Sequence, residues 1–258
     1  MWLAVWSLAW REWLRFVRQR NRVIGAVGQP LLFWLFFGEG LGPTFRLPGD
    51  GGVTFRQYFF PGTLALILLF TAIFTTISII EDRREGFLQS VLVAPMSRWA
   101  MVLGKLLGGS AIALAQGLLF LVLGLTLGTP FSLAGWAGAV VFAGVMALSL
   151  TGLGFVIAWR TDSVQGFHAI MSVFLFPLWL LSGAFFPAPD GWLGVVMRCN
   201  PLTYAVAGLR RLIYLGEPAA VEGLPSLAVC WAVTVAFAAL MLWASWRVAA
   251  RRTTADML

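Results

Sequence analysis

Apolar residues gather in six long blocks, each near the ~20 residues that a helix needs to cross a bilayer. By residue number the blocks are 23–41, 58–80, 101–127, 133–159, 166–186 and 227–246. None has the period-two alternation, in segments of about ten residues, that a membrane barrel carries. The pattern predicts an all-α, polytopic helical membrane protein with six transmembrane helices within residues 23–258. Pro61 stands near the start of the second block, where a missing N–H is cheap.

Three polar-rich stretches break this rhythm. Residues 1–22 place Trp2, Trp6, Trp10, Trp13 and Val17 at helical spacing, with Arg11, Arg15, Arg18 and Arg22 on another side. Aromatic and basic faces together describe an amphipathic helix lying in the cytoplasmic headgroup layer. The same residues also read as a positive anchor that sets topology, and the two readings are compatible.

The second stretch, "EDRREGFLQSVLVAPMSRW" at 81–99, holds six charged residues, five of them before Gly86. Phe87, Leu88, Val91 and Leu92 recur at i, i+1, i+4 and i+5, giving one apolar face. Pro95 ends the run, and Ser97 is placed to cap the third span. Such a helix anchors in the headgroups and presents a charged end to the cytosol, where another protein can push on it. A simple topological loop is the plainer reading.

The third stretch, 188–225, contains "DGWLGVVMRCNP" and "LTYAVAGLRRLIYLG". Both read as short helices, with Asp190 a candidate N-cap for the first. At ~1.5 Å per residue neither crosses the roughly 30 Å core. They are expected to dip into the outer leaflet and return, broken at Asn200-Pro201. Helices lying flat outside the membrane are the alternative.

Composition agrees with a membrane class. The 258 residues are 60% hydrophobic and 11% charged, and mean hydropathy is +0.86. The net charge of +7 reports orientation and headgroup contact rather than nucleic acid. Thirteen of the eighteen Lys and Arg residues fall on the side that holds both ends of the chain. That asymmetry favours both termini on the cytoplasmic face of the inner membrane. The amino terminus does not read as a cleavable signal, because its charges follow the aromatic run.

Candidate chemistry is sparse. Lys105 is the single lysine, and Trp99 stands where a P-loop requires its first glycine, so no nucleotide site of that kind exists in the sequence. His168 is the one histidine and has no catalytic motif around it, so it reads as a packing or headgroup-level residue. Cys199 and Cys230 have neither disulfide context nor metal spacing. Acidic residues cluster at predicted span ends, which argues against an ion-coupled carrier. Thr71, Thr75 and Ser78 share one face of the second span, Gln116 lies in the third, and Pro177 in the fifth. Each of the polar four reads as an interhelical hydrogen-bonding group or as part of a substrate path. Pro177 reads as helix irregularity or as part of that path. "GKLLG" at 104–108 is a small-xxx-small pattern that lets helices approach closely.

The segment "EDRREGFLQSVLVAPMSRWAMVLGKLLG" resembles the cytoplasmic segment of type-2 ABC exporter permeases. "LSGAFFP" at 181–187 and "NPLTYAVAGLR" at 200–210 match in the same order. Ala207 departs from the pattern, since many relatives carry an acid there. The resemblance implies a homodimer of permeases paired with separate ABC-type ATP-binding subunits. ATP and magnesium would be held by those partners, and this chain would be neither an enzyme nor a cofactor holder. It implies that Glu81, Arg83, Arg84, Glu85, Phe87, Leu88, Val91 and Leu92 couple the permease to the ATPase. The expected activity is outward export of an amphipathic or lipid-like compound. Export of a polysaccharide or lipid-linked glycan, and a scaffold subunit that transports nothing, are the alternatives.

Overall fold

One helix organises the molecule. In a computed structural model that describes residues 1–42, 54–127 and 132–250, α3 (Phe55–Thr75) leads through Thr76 into α4 (Ile77–Arg84). The side chains of residues 20–23, 26, 27, 29, 92 and 219 lie outside the description, so the predicted coupling residue Leu92 cannot be placed. The α3–α4 span is 30 residues long, and 89% of its most apolar window is buried inside the protein. Lipid is as apolar as Leu, so burial here reflects packing and hydrogen bonding more than expulsion from water.

Thr54 begins α3 with a reciprocal cap. Its hydroxyl accepts from the Gln57 N–H, and the Gln57 side chain accepts from the Thr54 N–H. The helix therefore starts three residues before the predicted block, and Pro61 falls in its interior rather than at its first position. A proline there cannot bond the carbonyl four residues back. Gln57 supplies that carbonyl, and the Tyr214 hydroxyl donates to it instead, at 2.6 Å.

Around this axis stand α2 (Arg20–Leu41), α6 (Arg98–Leu123), α7 (Leu133–Trp159), α8 (Val164–Trp179) and α12 (Leu227–Ala250). α1 (Trp2–Arg18) precedes α2. α6 continues through a 3₁₀ turn, Gly124–Leu127, and α8 ends in a π turn, Leu180–Ala184. Among the described residues every regular element is helical. Among the described residues, five helices are long and apolar enough to cross a membrane: Phe55–Arg84, Arg98–Thr126, Leu133–Trp159, Val164–Ala184 and Leu227–Ala250. The predicted first span falls within α2, whose apolar part, Pro30–Leu41, is shorter than these five. Ser97 caps α6 as expected, accepting from the Ala100 N–H at 3.2 Å.

α5 (Phe87–Val93) hangs from the end of the central helix. The chain turns at Gly86, whose φ of 76° lies in the left-handed region that glycine enters without penalty. Leu88 is buried, Phe87 and Val91 pack against the core, and Gln89, Ser90 and Val93 are exposed.

The two outer helices are α9 (Trp192–Cys199) and α10 (Pro201–Ile213), and a short α11 (Pro218–Val221) follows. Their break is at Asn200-Pro201, and the Asn200 side chain caps α10 by accepting from the Leu202 N–H at 2.9 Å. Asp190 does not cap α9. Gly191 takes that position with a φ of 93° and no side-chain bond. α10 packs alongside the first turns of α7, with Leu212 against Gly135 and Gly138 and with Gly208 against Phe142.

Candidate functional site

At one end of the bundle, α1, α4 and α6 meet through charged side chains. Lys105 of α6 donates to Glu12 of α1 at 2.6 Å, to Ser78 of α4 at 3.3 Å, and to Asp82 of α4. Asp82 also accepts from Arg11 at 2.7 and 3.1 Å and from Arg15 at 2.9 Å. Side-chain exposure is 6% for Lys105, 5% for Glu12 and 0% for Asp82. An isolated charge at such depth costs several kcal/mol, so these three persist only because each has opposite charges within bonding distance. Burial opposes the charge of Arg11, but Asp82 outweighs it and holds that guanidinium above its ordinary pKa.

Close backbone approach makes this possible. The side of α6 that faces α1 presents Gly104 and Gly108. A Cβ on Gly104 would stand 2.8 Å from that of Leu8, and one on Gly108 would stand 3.1 Å from the Ala9 Cα. The "GKLLG" pattern thus does what its spacing implies, and the lysine between the glycines reaches across the seam.

The predicted coupling residues surround this junction. Glu81 pairs with Arg15 at 3.0 Å, and the more exposed Glu85 approaches the same guanidinium at 3.4 Å. Arg83 donates to the carbonyls of Trp159 at 2.6 Å and Thr161 at 3.4 Å, tying α4 to the end of α7. Arg84 is exposed and donates to the Asp162 carbonyl at 3.3 Å. Arg11 lies over the Phe87 ring, 3.7 Å from its centroid, so α1 also grips α5. Trp99 stacks on Trp246 at 5.3 Å, which brings the end of α12 to the same side.

Of the polar residues assigned by sequence to packing or to a path, only Ser78 belongs to this junction. Thr71 donates to Gln116 at 2.5 Å between α3 and α6, and both are buried. Thr75 donates to the Ala72 carbonyl within its own helix at 2.7 Å, and Ser78 accepts from Lys105. Pro177 is exposed on α8, on the face that carries Ile170, Val173 and Phe174. His168 rings with Phe74 and Phe167. Among the described residues, no group of three or more His, Cys, Asp and Glu could hold a metal ion.

Sequence reasoning missed Asp82, Glu12, Arg11 and Arg15 as one unit. Two signals were available. A single lysine in an apolar span demands a buried acid, and Ser78 and Asp82 stand one turn apart on the same helix face.

At the other end, the remaining two motifs close on each other. α8 unwinds at Leu181 and at Gly183, whose φ is 74°. The freed carbonyls are satisfied from the outer hairpin. Asn200 donates its amide to Leu178 at 2.6 Å and to Leu181 at 3.1 Å. Arg210, 3% exposed, donates to Gly183 at 3.2 Å and to Tyr58 of α3 at 3.1 Å, with its guanidinium 4.0 Å from the Tyr58 ring centroid. Tyr58 in turn donates its hydroxyl to Gly183 at 3.1 Å. Carbonyl dipoles at a helix C-terminus and an aromatic face are what stabilise this cation.

The family described as ABC-2 type transporter matches residues 3–214, from the first turn of α1 to Tyr214. That stretch contains both the charged junction and the outer clasp. The chain belongs to the ABC-2 type transporter family. Its relatives include the daunorubicin resistance ABC transporter permease protein DrrB1 of Streptomyces coeruleorubidus, 27% identical over 80% of this chain and 73% of that one. The probable multidrug ABC transporter permease YbhR of Escherichia coli K12 is 27% identical over 63% of this chain, which spans less than half (45%) of YbhR. Nodulation protein J of Rhizobium meliloti is 26% identical over 92% of this chain and 89% of its own length. This ABC-2 type chain is therefore a multi-pass membrane transport permease. Both of its polar assemblies lie at ends of its spans, where they can bear on helix tilt without entering the apolar middle.

Proposed function

We propose that this permease is the membrane half of an ATP-driven exporter in the inner membrane, with both termini cytoplasmic. It moves an amphipathic, lipid-like or drug-type compound outward by alternating access. It does so as a pair with a second copy of itself, each contacting a separate ABC-type ATP-binding subunit that holds ATP and magnesium. The drug-related names of two relatives favour that substrate class.

One observation supports the coupling reading above others: α5 is joined to the most buried helix of the molecule through the single turn at Gly86. A push on Arg84, Glu85 or the exposed side of α5 is transmitted along α4 into α3. The charged junction carries it sideways to α1 and α6. Nucleotide shifts such an equilibrium only by binding the partner's two states with different affinity, and the junction gives that difference a mechanical path. Glu81 and Arg83 fix the end of α4, while Phe87, Leu88 and Val91 seat α5. The exposed α8 face at Pro177, Ile170, Val173 and Phe174 is the proposed wall of the substrate path. Thr71 and Gln116 act on it indirectly, by fixing α3 against α6. Ser78 does so by tying α4 to Lys105 of α6, while Thr75 bonds within α3.

Charge reversal tests this. Arg84→Glu and Glu85→Arg change exposed groups, so membrane insertion and yield are expected to stay at wild-type levels. Transport and the stimulation of partner ATPase are expected to fall several-fold, by the loss of one or two interfacial contacts of ~1 kcal/mol each. Unchanged efflux and unchanged complex formation in both variants would remove this segment from the coupling role.

A further inference from the structure

We infer that α1 carries a discrete binding site for the headgroup of an anionic phospholipid, built on Arg11, Arg15 and Arg18. A cavity of about 480 Å³ opens beside the second half of α1, lined by these arginines together with Trp10, Leu14 and Glu85. Among its lining side chains three are cationic and only Glu85 is a carboxylate, which favours an anionic ligand. Arg11 and Arg15 already spend donors on Asp82, Glu81 and Glu85. Arg18 is exposed and has no partner among the described residues, so it is the cation left to meet a ligand.

The apolar wall selects the source of that anion. Trp10 and Leu14 continue a stripe of exposed side chains with Leu3, Trp6 and Val17 on the same side of α1, and Trp6 stacks on Trp10 at 6.4 Å. Val5, Leu8, Glu12 and Phe16 face the protein from another side. α1 meets α6 at Gly104 and Gly108, about one and a half and two and a half turns beyond Trp99, which stacks on Trp246. Tryptophan is characteristic of the layer where headgroup meets acyl chain. A phosphodiester on the arginines with acyl chains along Trp10 and Leu14 satisfies both walls. A free phosphate leaves the apolar one in water. This site rests on the reading that α1 lies at headgroup level.

Because Arg15 bonds Glu81, Asp82 and Glu85 as well as lining the cavity, a bound phosphate draws on the same guanidinium that holds the coupling junction. Anionic lipid thereby acts on the junction itself.

The test uses the full chain in nanodiscs of equimolar phosphatidylglycerol and phosphatidylcholine, with retained lipid counted by native mass spectrometry. Phosphatidylglycerol is expected to be retained in preference. Arg18→Gln is expected to lower that preference about fivefold, the equivalent of ~1 kcal/mol for one arginine at an anionic surface, while Arg18→Lys keeps most of it. An unchanged preference in Arg18→Gln overturns the site. So does displacement of the lipid by millimolar inorganic phosphate, which would make it a free-anion site. Weakened hold on the ATP-binding subunit with no lipid effect would make it a protein contact instead. Quenching by brominated phosphatidylcholine, taken as wild type minus Trp6→Phe, separates the two levels of failure. Quenching without phosphatidylglycerol preference removes only the headgroup site. Absence of quenching removes the headgroup-level placement of α1 as well.

Discussion

Lys105→Met is expected to loosen α1 from α6 by about 3–5 kcal/mol, the usual consequence of deleting one member of a buried ion pair. The variant leaves Glu12, 5% exposed, without the ammonium that it now meets at 2.6 Å. Asp82 keeps Arg11 and Arg15, but both are partly exposed and can swing outward. Limited proteolysis within α1 and a lowered unfolding temperature in detergent are the readouts. Glu12→Gln combined with Lys105→Met is expected to recover part of the loss, because it removes a buried carboxylate left with the looser Arg11 contact at 3.5 Å along with the cation. Full additivity of the two single changes would show that the groups do not act as a unit. Transport should fall with α1 docking, because a push on α4 would no longer reach α1 and α6 together.

Arg210→Met is expected to open the outer clasp at a cost of about 1.5–3 kcal/mol, the range for hydrogen bonds to a charged donor. Methionine keeps the length and apolar stem of arginine but donates nothing, so the Tyr58 and Gly183 carbonyls each lose a partner. The π turn Leu180–Ala184 would then be held mainly by Asn200, Thr203 and Tyr58. Amide hydrogen exchange should quicken around that turn and at the start of α10, with the charged junction at the opposite end unaffected. Equal protection in variant and wild type would mean that Arg210 merely fills space. If the clasp is an outer closure of the path, the variant should also leak substrate inward without ATP.

Much of this architecture is legible from local pattern. Span length, the Ser97 cap and the Asn200-Pro201 break are decided within a few residues, so sequence periodicity and capping chemistry suffice for them. The apolar face of 87–92 is legible for the same reason, and Phe87, Leu88 and Val91 pack as it implies. Asp190 and Pro61 show the limit of that approach. A glycine with positive φ displaced the first from its cap, and an earlier capping box at Thr54 moved the second into the helix interior.

The functional ends were less legible because their partners are distant in sequence. Glu12, Asp82 and Lys105 come from three helices separated by 93 and 23 residues, and no local rule joins them. The reading of α1 as two faces, aromatic and basic, was also incomplete. Val5, Leu8, Glu12 and Phe16 form a third face that docks on α6, and the acid among them is what makes the docking charge-specific. The outer motifs were recognisable as motifs. Their purpose, capping the unwound end of α8 from a hairpin twenty residues later, became visible only once that end was seen to unwind.

The most direct test of the central claim is transport by proteoliposomes that contain this chain alone or together with its ATP-binding subunit. Alone, the chain should neither hydrolyse ATP nor move an amphipathic dye uphill. With the partner and magnesium-ATP, dye should be expelled, and Lys105→Met should reduce that expulsion strongly. Uphill movement or ATP hydrolysis by the chain alone would contradict the account.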